Sequence, residues 1–336
     1  MGLRHIKQRK SHRLMVFNDL LSLIKNLRII DLRETIMGRV LYIIGNGFDK
    51  AHGLPSGYWD FRAWLDVHNK ELLADIEDIW DNNSELWSDF EKALGIVDYR
   101  AVEQKYRDYR LIEHCEANRK LREIHPEIPP AEHHAIEEKL EPIVKRIRLA
   151  FNEWVKTLNQ SIETYRPILN LDTSAFYITF NYTETLEILY NMNKECILHI
   201  HGRANSSEEI MFGHDKPGKQ IQFEIEDFHL KCPAAALEDF SLWIGTLRKN
   251  VDYNLFKHSP VLTSNIISIE SIYILGYSFS EIDAVYIDNI FKRTYSSEPM
   301  WNISYYTERD KEKIMAFIRD YHIRQDKYRL LKISEM

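Results

Sequence analysis

The segment that most constrains the fold of this chain is Val40–Ile44, an apolar run that leads directly into Gly45-Asn46-Gly47. A short continuous apolar run with several β-branched side chains is typical of a strand that is buried on both faces of a sheet. The glycines that follow predict a tight turn, and residues 48–52 suit the first turn of a helix. Because such a strand must be covered on both faces, the chain is expected to fold around a sheet packed between helices.

Segments of the same kind recur along the chain and alternate with helical patterns. Strands are predicted at residues 175–180, 197–201, 210–212, 271–275 and 301–306, and helices at residues 183–192, 234–251, 283–295 and 310–321. Most of these strands have apolar side chains on both faces, which is characteristic of parallel sheets that are covered by helices. The sequence therefore predicts an α/β fold with a doubly wound, mostly parallel sheet.

Between the first two predicted strands, the sequence changes to long charged stretches with apolar residues at helical spacing. This pattern predicts a large helical insertion, at about residues 65–168, within the α/β domain. Pro126, Pro129 and Pro130 interrupt the pattern, because proline lacks the amide donor and clashes with the preceding helical turn. The insertion is therefore expected to contain two helical sub-segments.

Charge and cysteine content argue against several classes of protein. The 336 residues include 44 Lys and Arg against 51 Asp and Glu, a formal net charge of −7, which gives no general attraction to nucleic acid or anionic lipid. The longest apolar runs are far shorter than the roughly 20 residues of a membrane-spanning helix, so an integral membrane protein is not expected. Cys115, Cys196 and Cys232 form no CxxC pair, which argues against a zinc ribbon or a disulfide scaffold and favours a reducing cytoplasm.

Residues 1–36 differ from the rest of the chain in charge. They carry eight Lys or Arg against three Asp or Glu, a local balance of +5, and they lack the uninterrupted apolar stretch and cleavage site of a secretory signal. Met37-Gly38-Arg39 directly precedes the first predicted strand. We expect residues 1–36 to result from a start assigned too far upstream, or to form a basic amphipathic helix that docks on the body, residues 37–336, or on a partner.

Glycines and polar side chains follow several of the predicted strands directly. In an open parallel sheet, ligands bind beyond the carboxyl ends of the strands, so these residues are candidates for a binding site. Gly45-Asn46-Gly47 and Gly276-Tyr277-Ser278 each lie between an apolar strand and a helix. Glycines permit close approach of the backbone to a phosphate, but plain strand-to-helix turns are equally compatible with these residues, and the third glycine of the dinucleotide-binding fingerprint is missing.

Asn181 and His201 also end predicted strands. A histidine at such an edge suits general-base catalysis, and an asparagine there could orient a water molecule or bind a ribose hydroxyl. The structural alternatives are a buried histidine and an asparagine that begins a turn or caps a helix. Metal binding by His199, His201 and His214 is a minor option, because no carboxylate or cysteine stands at a matching ligand spacing.

Taken together, these short motifs resemble two known families. Residues 43–54 (IIGNGFDKAHGL), 179–187 (TFNYTETLE), 199–202 (HIHG) and 275–283 (LGYSFSEID) have counterparts in the bacterial AbiH-like abortive-infection family. The order of the glycine turns, the asparagine and the histidine is similar, at a greater distance, to the SIR2 (sirtuin-like) NAD-binding superfamily. The resemblance extends from about residue 37 to about residue 306 and implies a Rossmann-like (SIR2-like) α/β domain.

The resemblance implies cleavage of NAD between nicotinamide and ribose. Asn181 would hold the ribose or the attacking water, His201 would act as the base, and Arg62 would cover the phosphates from a mobile loop at residues 53–62. The complete set of residues assigned to NAD binding is Gly45, Asn46, Gly47, Asp49, Arg62, Gly276 and Ser278.

Two departures limit what the resemblance implies. The paired CxxC motifs of sirtuin deacetylases are missing, which argues against protein deacylation. Thr183 stands where many SIR2-like NAD hydrolases have an acid, so Glu184 or Asp49 would have to replace that acid.

Three functions remain open at this point. The first is an anti-phage NAD hydrolase that depletes NAD during infection and is restrained by a phage-derived trigger or by homo-oligomerisation. The second is a sensor or assembly module that binds NAD or a related nucleotide without cleaving it, which the missing acid favours. The third is a metal-dependent, nuclease-type effector that uses His199, His201, His214 and Asp215, which the acidic balance and the ligand spacing disfavour. No metal is expected for the first two.

Overall fold

Six strands form one all-parallel sheet in the computed structural model, which describes residues 40–80, 85–98, 102, 131–205, 210–214 and 240–333, with the backbone alone at residues 131–141. The basic segment of residues 1–36 and the prolines at 126, 129 and 130 lie outside the described residues. The strands are β1 (Val40–Ile44), β2 (Phe176–Thr179), β3 (Ile197–His199), β4 (Ser271–Leu275), β5 (Met300–Tyr305) and β6 (Tyr328–Lys332). Their order in the sheet is β3-β2-β1-β4-β5-β6, a Rossmann-like arrangement.

Helices connect the strands and cover both faces of the sheet. They are α1 (Asn46–Ala51), α2 (Tyr58–His68), α3 (Lys70–Ile79), α4 (Phe90–Leu94), α5 (Ala131–Ser161), α6 (Thr185–Leu189), α7 (Val251–Asn265), α8 (Ala284–Thr294) and α9 (Glu308–Asp320). Residues 240–246 are also helical. No helix among the described residues is long and apolar enough to span a bilayer.

Strand β1 is buried on both faces, as its continuous apolar sequence predicts. Leu41 and Ile43 pack into a core that includes side chains of α7, α8 and α9. The alternate residues, Tyr42 and Ile44, pack on the opposite face, where the Tyr42 ring stacks between neighbouring tyrosines of β2 and β4 at 4.7 and 4.9 Å. Full burial of one large apolar side chain contributes about 1.5–3 kcal/mol, so β1 anchors both halves of the core.

The helices between β1 and β2 have a separate apolar core. Side chains of α2, α3, α4 and α5 form this core together with Ile210, Phe212 and the 240–247 segment. Phe212 stacks on Phe151 of α5 with the ring centroids 4.0 Å apart. The helical insertion is therefore packed against the chain that follows β3 as well as against itself.

Two predictions about individual elements are wrong, and one strand was missed. Residues 210–212 form no strand, because their apolar side chains are buried in the core of the helical insertion instead of in the sheet. Strand β6 was not predicted, since its sequence YRLLK mixes charged and apolar residues at the edge of the sheet. The helix predicted at residues 234–251 ends by residue 246 in its described part, and α7 begins at Val251.

The turns after β1 and β4 contact each other through their backbones. Gly45 N–H donates to the carbonyl oxygen of Leu275 at 2.9 Å, and Gly47 N–H donates to that of Gly276 at 2.8 Å. Gly276 has a φ of 64°, and an added Cβ would lie 2.1 Å from the backbone nitrogen of Phe48. Glycine is therefore required at this position by both conformation and close packing.

Gly276→Ala is expected to lower the free energy of unfolding by about 3 kcal/mol, because the left-handed conformation and the contact with Phe48 both oppose a side chain. Gly245→Ala is the matched control, since no atom lies within 4 Å of a Cβ at that helical position. The control should be neutral or stabilising by up to about 1 kcal/mol. Urea denaturation followed by circular dichroism measures both, and equal stability of the two variants would contradict the close approach of the turns.

Candidate active site

The order of the strands determines where a ligand site is expected. Consecutive strands run outward from β1 to β3, and the chain then crosses to β4 on the other side of β1. In open parallel sheets, ligands bind beyond the carboxyl ends of the strands at such a reversal. The turns that begin at Gly45 and Gly276 meet at this point, and the ends of β2 and β3 lie beside it.

The two glycine turns contain five of the residues predicted to bind NAD. Their glycines permit the mutual approach of the turns. Asn46 fixes the neighbouring segment, because its amide donates to the carbonyl oxygen of Ser56 at 2.7 Å and its Oδ1 accepts from Ser56 Oγ at 2.6 Å. Ser278 is exposed at the edge of the site. The structure thus places both turns at the switch point, and their binding of NAD stays a prediction.

Asp49 connects helix α1 to the turn that follows β2. Its carboxylate is 1% exposed and accepts hydrogen bonds from Thr183 Oγ1 at 2.5 Å and from Thr185 Oγ1 at 2.8 Å. The side chain of Asn181 also hydrogen-bonds to it. Burial raises the pKa of the Asp49 carboxyl, and these hydrogen bonds oppose the rise. Asp49 therefore positions Asn181, although the two are far apart in sequence.

Asn181 presents an unusual buried oxygen. The residue is 6% exposed, and its Oδ1 accepts no hydrogen bond from the described residues. Its backbone is fixed, because the N–H donates to Thr179 Oγ1 at 3.1 Å and the carbonyl oxygen lies 3.2 Å from His199 Nδ1. A buried polar atom without a partner is costly in a native structure and calls for an explanation. A bound ligand that supplies a donor is one such explanation.

His201 lies beside a carboxylate and among aromatic rings. It is 2% exposed, and its Nε2 is 3.2 Å from Asp283 Oδ1. Phe180 and Tyr286 contact the imidazole edge to face, with centroids 5.5 and 5.6 Å away. The neighbouring His199 has a different partner, since its Nε2 is 2.8 Å from Glu187 Oε1. His201 is thus the histidine that faces the turn after β4.

Three charged residues near His201, the buried Glu91 and Lys249 and the partly buried Asp283, were not among the predicted site residues. Lys249 Nζ lies 2.8 Å from Glu91 Oε2 and 3.8 Å from Asp283 Oδ1. Burial opposes ionisation of Asp283, but the nearby Lys249 ammonium and the contact with His201 outweigh burial and lower the pKa of the Asp283 carboxyl to about 2. Tyr182 OH donates to Glu91 Oε1 at 2.6 Å. We refer to Glu91, Lys249, Asp283 and His201 as the charged cluster.

The structure changes what was predicted for two further site residues, Arg62 and Glu184. Arg62 lies in helix α2 and not in a loop, and its Nε donates to Glu77 Oε1 at 2.7 Å. The prediction that Arg62 lies in a mobile loop is therefore wrong. Glu184 is occupied by an ion pair with Arg203 at 2.7 Å. Of the two acids proposed to replace the missing one, Asp49 is the acid that contacts Asn181.

The histidines considered as metal ligands do not form a cluster in the described part of the chain. Among the described residues, no group of three or more His, Cys, Asp or Glu side chains could hold a metal ion. His214 Nε2 lies 2.9 Å from the carbonyl oxygen of Ile244. Asp215, the fourth residue of the nuclease hypothesis, lies outside the described residues.

Comparison with known proteins places the chain in a family. A family model with the description "Bacteriophage abortive infection AbiH" matches residues 41–305. No curated protein and no solved structure matches the chain. The matched region contains both glycine turns, Asn181 and all four residues of the charged cluster. Because the match covers far more than half of the sequence, this protein belongs to the AbiH family of bacteriophage abortive-infection proteins.

Proposed function

We propose that this protein acts in abortive infection by hydrolysing NAD at the bond between nicotinamide and ribose. Membership of the AbiH family supports the anti-phage role. The proposed chemistry rests mainly on one observation, the placement of Asn181 and His201 after neighbouring strands next to the switch point. The buried Oδ1 of Asn181 has no partner in the described part of the chain, and His201 lies beside a carboxylate.

The reaction needs little covalent chemistry from the protein. When the bond breaks, its electron pair goes to the pyridinium nitrogen and neutral nicotinamide leaves. The ribose carbon develops oxocarbenium character, and water adds to it with loss of one proton. The products are nicotinamide, ADP-ribose and a proton. The protein must hold the ribose and the water in position and accept the proton.

The described side chains suit these tasks. Asn181 Oδ1 can accept a hydrogen bond from a ribose hydroxyl or from the attacking water, because no protein donor occupies it among the described residues. His201 takes the proton of the water, and the Asp283 carboxylate stabilises the imidazolium that forms. The backbones of the two glycine turns, with Ser278 at the exposed edge, hold the dinucleotide. Arg62 is left out of this proposal, since it pairs with Glu77.

Burial of the site bears on regulation. Asp49, Asn181 and His201 are at least 94% buried, so NAD reaches them only after the covering segments move. A closed resting site fits a protein whose unrestrained activity would deplete the NAD of its own cell. A phage-derived trigger or association of several copies would supply the opening, and both remain part of the proposal.

His201→Ala and Asn181→Ala are each expected to reduce nicotinamide release from NAD by about 100-fold or more, because they remove the base and the residue that positions water. The purified variants and the wild type are compared by chromatography of the released nicotinamide, with circular dichroism to verify folding. His68→Ala is the control, since His68 is exposed on α2 and its Nδ1 lies 2.8 Å from the carbonyl oxygen of Trp64 in the same helix. Full activity of His201→Ala would refute its role as the base.

The second candidate, a sensor that binds NAD without cleaving it, is favoured by the near-complete burial of Asn181 and His201. Thermal unfolding with and without NAD tests binding separately from cleavage. If NAD binds, a concentration of 100 times Kd stabilises the fold by about 2.7 kcal/mol. If the protein is a hydrolase, NAD should stabilise the inactive variant His201→Ala against unfolding. The wild type should instead consume the added NAD. If NAD stabilises the wild type and is then recovered intact, the result would favour the sensor.

Cellular NAD provides a test in the presence of the natural trigger. Bacteria that express the wild-type protein should lose NAD after phage infection, while bacteria that express His201→Ala should keep it. Mass spectrometry of cell extracts, taken before and during infection, measures this difference. Protection from phage with a constant NAD level would show that the defence uses another chemistry.

A further inference from the structure

Asp283 closes the motif LGYSFSEID, and the proposed reaction gives it only a supporting contact. We propose that Asp283 is the positioning residue that fixes the orientation and the tautomer of His201, and that Lys249, held by Glu91, keeps Asp283 in its ionised form. This inference rests on the proposed function, because it concerns how the same site obtains its base.

The backbone around Asp283 is well fixed. Glu281–Asp283 forms a 3-10 turn directly before α8, and Ser280 Oγ accepts the N–H of Ile282 at 3.4 Å. Asp283 therefore approaches His201 from the β4 side of the switch point, whereas His201 follows β3. The contact between Nε2 and Oδ1, at 3.2 Å, joins the two sides of the site.

The position of the imidazole is restricted in two ways. Phe180 and Tyr286 pack against the ring and limit its rotation. Neither His201 Nε2 nor Asp283 Oδ1 has a hydrogen-bond partner among the described residues, although the two atoms lie 3.2 Å apart. Because an ionised carboxylate only accepts hydrogen bonds, we expect Nε2 to carry the proton on the side of Asp283. The lone pair is then on Nδ1, which makes Nδ1 the atom that receives the proton from water.

Lys249 explains how a buried carboxylate stays ionised. A buried acid without a cation nearby takes up a proton, but the ammonium of Lys249 lies 3.8 Å from Asp283 Oδ1. Lys249 is itself 98% buried and is held by Glu91 at 2.8 Å. Lys249 thus has an acid on each side, and only Asp283 also faces the histidine.

The net charge of the charged cluster becomes zero when His201 accepts a proton. Glu91, Lys249 and Asp283 together carry a net charge of −1 while the imidazole is neutral, and the charge becomes zero when His201 takes a proton. Among the described residues, the other titratable side chains close to this group include Tyr58, Tyr182, Tyr277 and Tyr286. Burial raises the pKa of each of these tyrosines, that of Tyr286 to about 12, so they are neutral in the working pH range.

Asp283→Asn tests the proposal because its amide can donate to Nε2 and so stabilise the opposite tautomer. Nicotinamide release is expected to fall by about 100-fold or more with little change in KM. Asp283→Glu keeps the charge and should recover part of the activity. Asp288→Asn is the control, because Asp288 lies on α8 and pairs with Lys292 instead.

A second measurement distinguishes failure of this inference from failure of the proposed function. The ¹⁵N shifts of histidine-labelled protein report which ring nitrogen carries the proton, and comparison with His201→Ala assigns the signals. The wild type should carry the proton on Nε2, and Asp283→Asn should carry it on Nδ1, whether or not NAD is cleaved. If the wild type releases no nicotinamide, the proposed function fails while this readout still decides the inference. A wild-type proton on Nδ1, the same tautomer in both proteins, or Asp283→Asn activity within threefold of the wild type would overturn it.

Discussion

The close approach of the turns after β1 and β4 is the constraint on which the site depends. Gly47 N–H donates to the carbonyl oxygen of Gly276, and side chains are sterically excluded at both positions. This contact fixes α1, which carries Asp49, relative to the segment that carries Asp283. Asp49 in turn holds Asn181 through the turn after β2. One backbone contact therefore sets the relative positions of residues that lie more than 200 positions apart in the chain.

The charged cluster is better explained by function than by stability. Removing ions from water costs several kcal/mol each, and apolar replacement of a buried ion pair is often neutral or stabilising. Glu91, Lys249 and Asp283 nevertheless lie together in the interior, on α4, before α7 and before α8. They also join the helical insertion to the sheet, because Tyr182, adjacent to Asn181, hydrogen-bonds to Glu91. The insertion thus contributes directly to the electrostatics of the site.

The sequence predicted those parts of the molecule that depend on local pattern. The apolar runs of β1, β2, β4 and β5 indicate strands buried on both faces, and the polar residues after β1 to β4 lie at one edge as expected. The strand predicted at residues 210–212 was wrong because a three-residue apolar run fits a helical core equally well. Glu91 and Lys249 could not be predicted, since they are 158 positions apart and become partners only through tertiary packing. Asp283 had a signal, its place in the LGYSFSEID motif, but no partner could be assigned to it without the fold.

The two buried acids of the site have opposite electrostatic environments, and this difference separates their roles. Asp49 receives hydrogen bonds from neutral groups, and burial dominates and raises the pKa of its carboxyl. Asp283 faces Lys249, whose charge outweighs burial and lowers the pKa of its carboxyl to about 2. Acids whose pKa values are pushed apart by their surroundings commonly divide the tasks of a site. In the proposed reaction, Asp49 therefore suits the positioning of Asn181 through hydrogen bonds, whereas Asp283 suits the role of the negative charge that the proposed base, His201, requires when it becomes a cation.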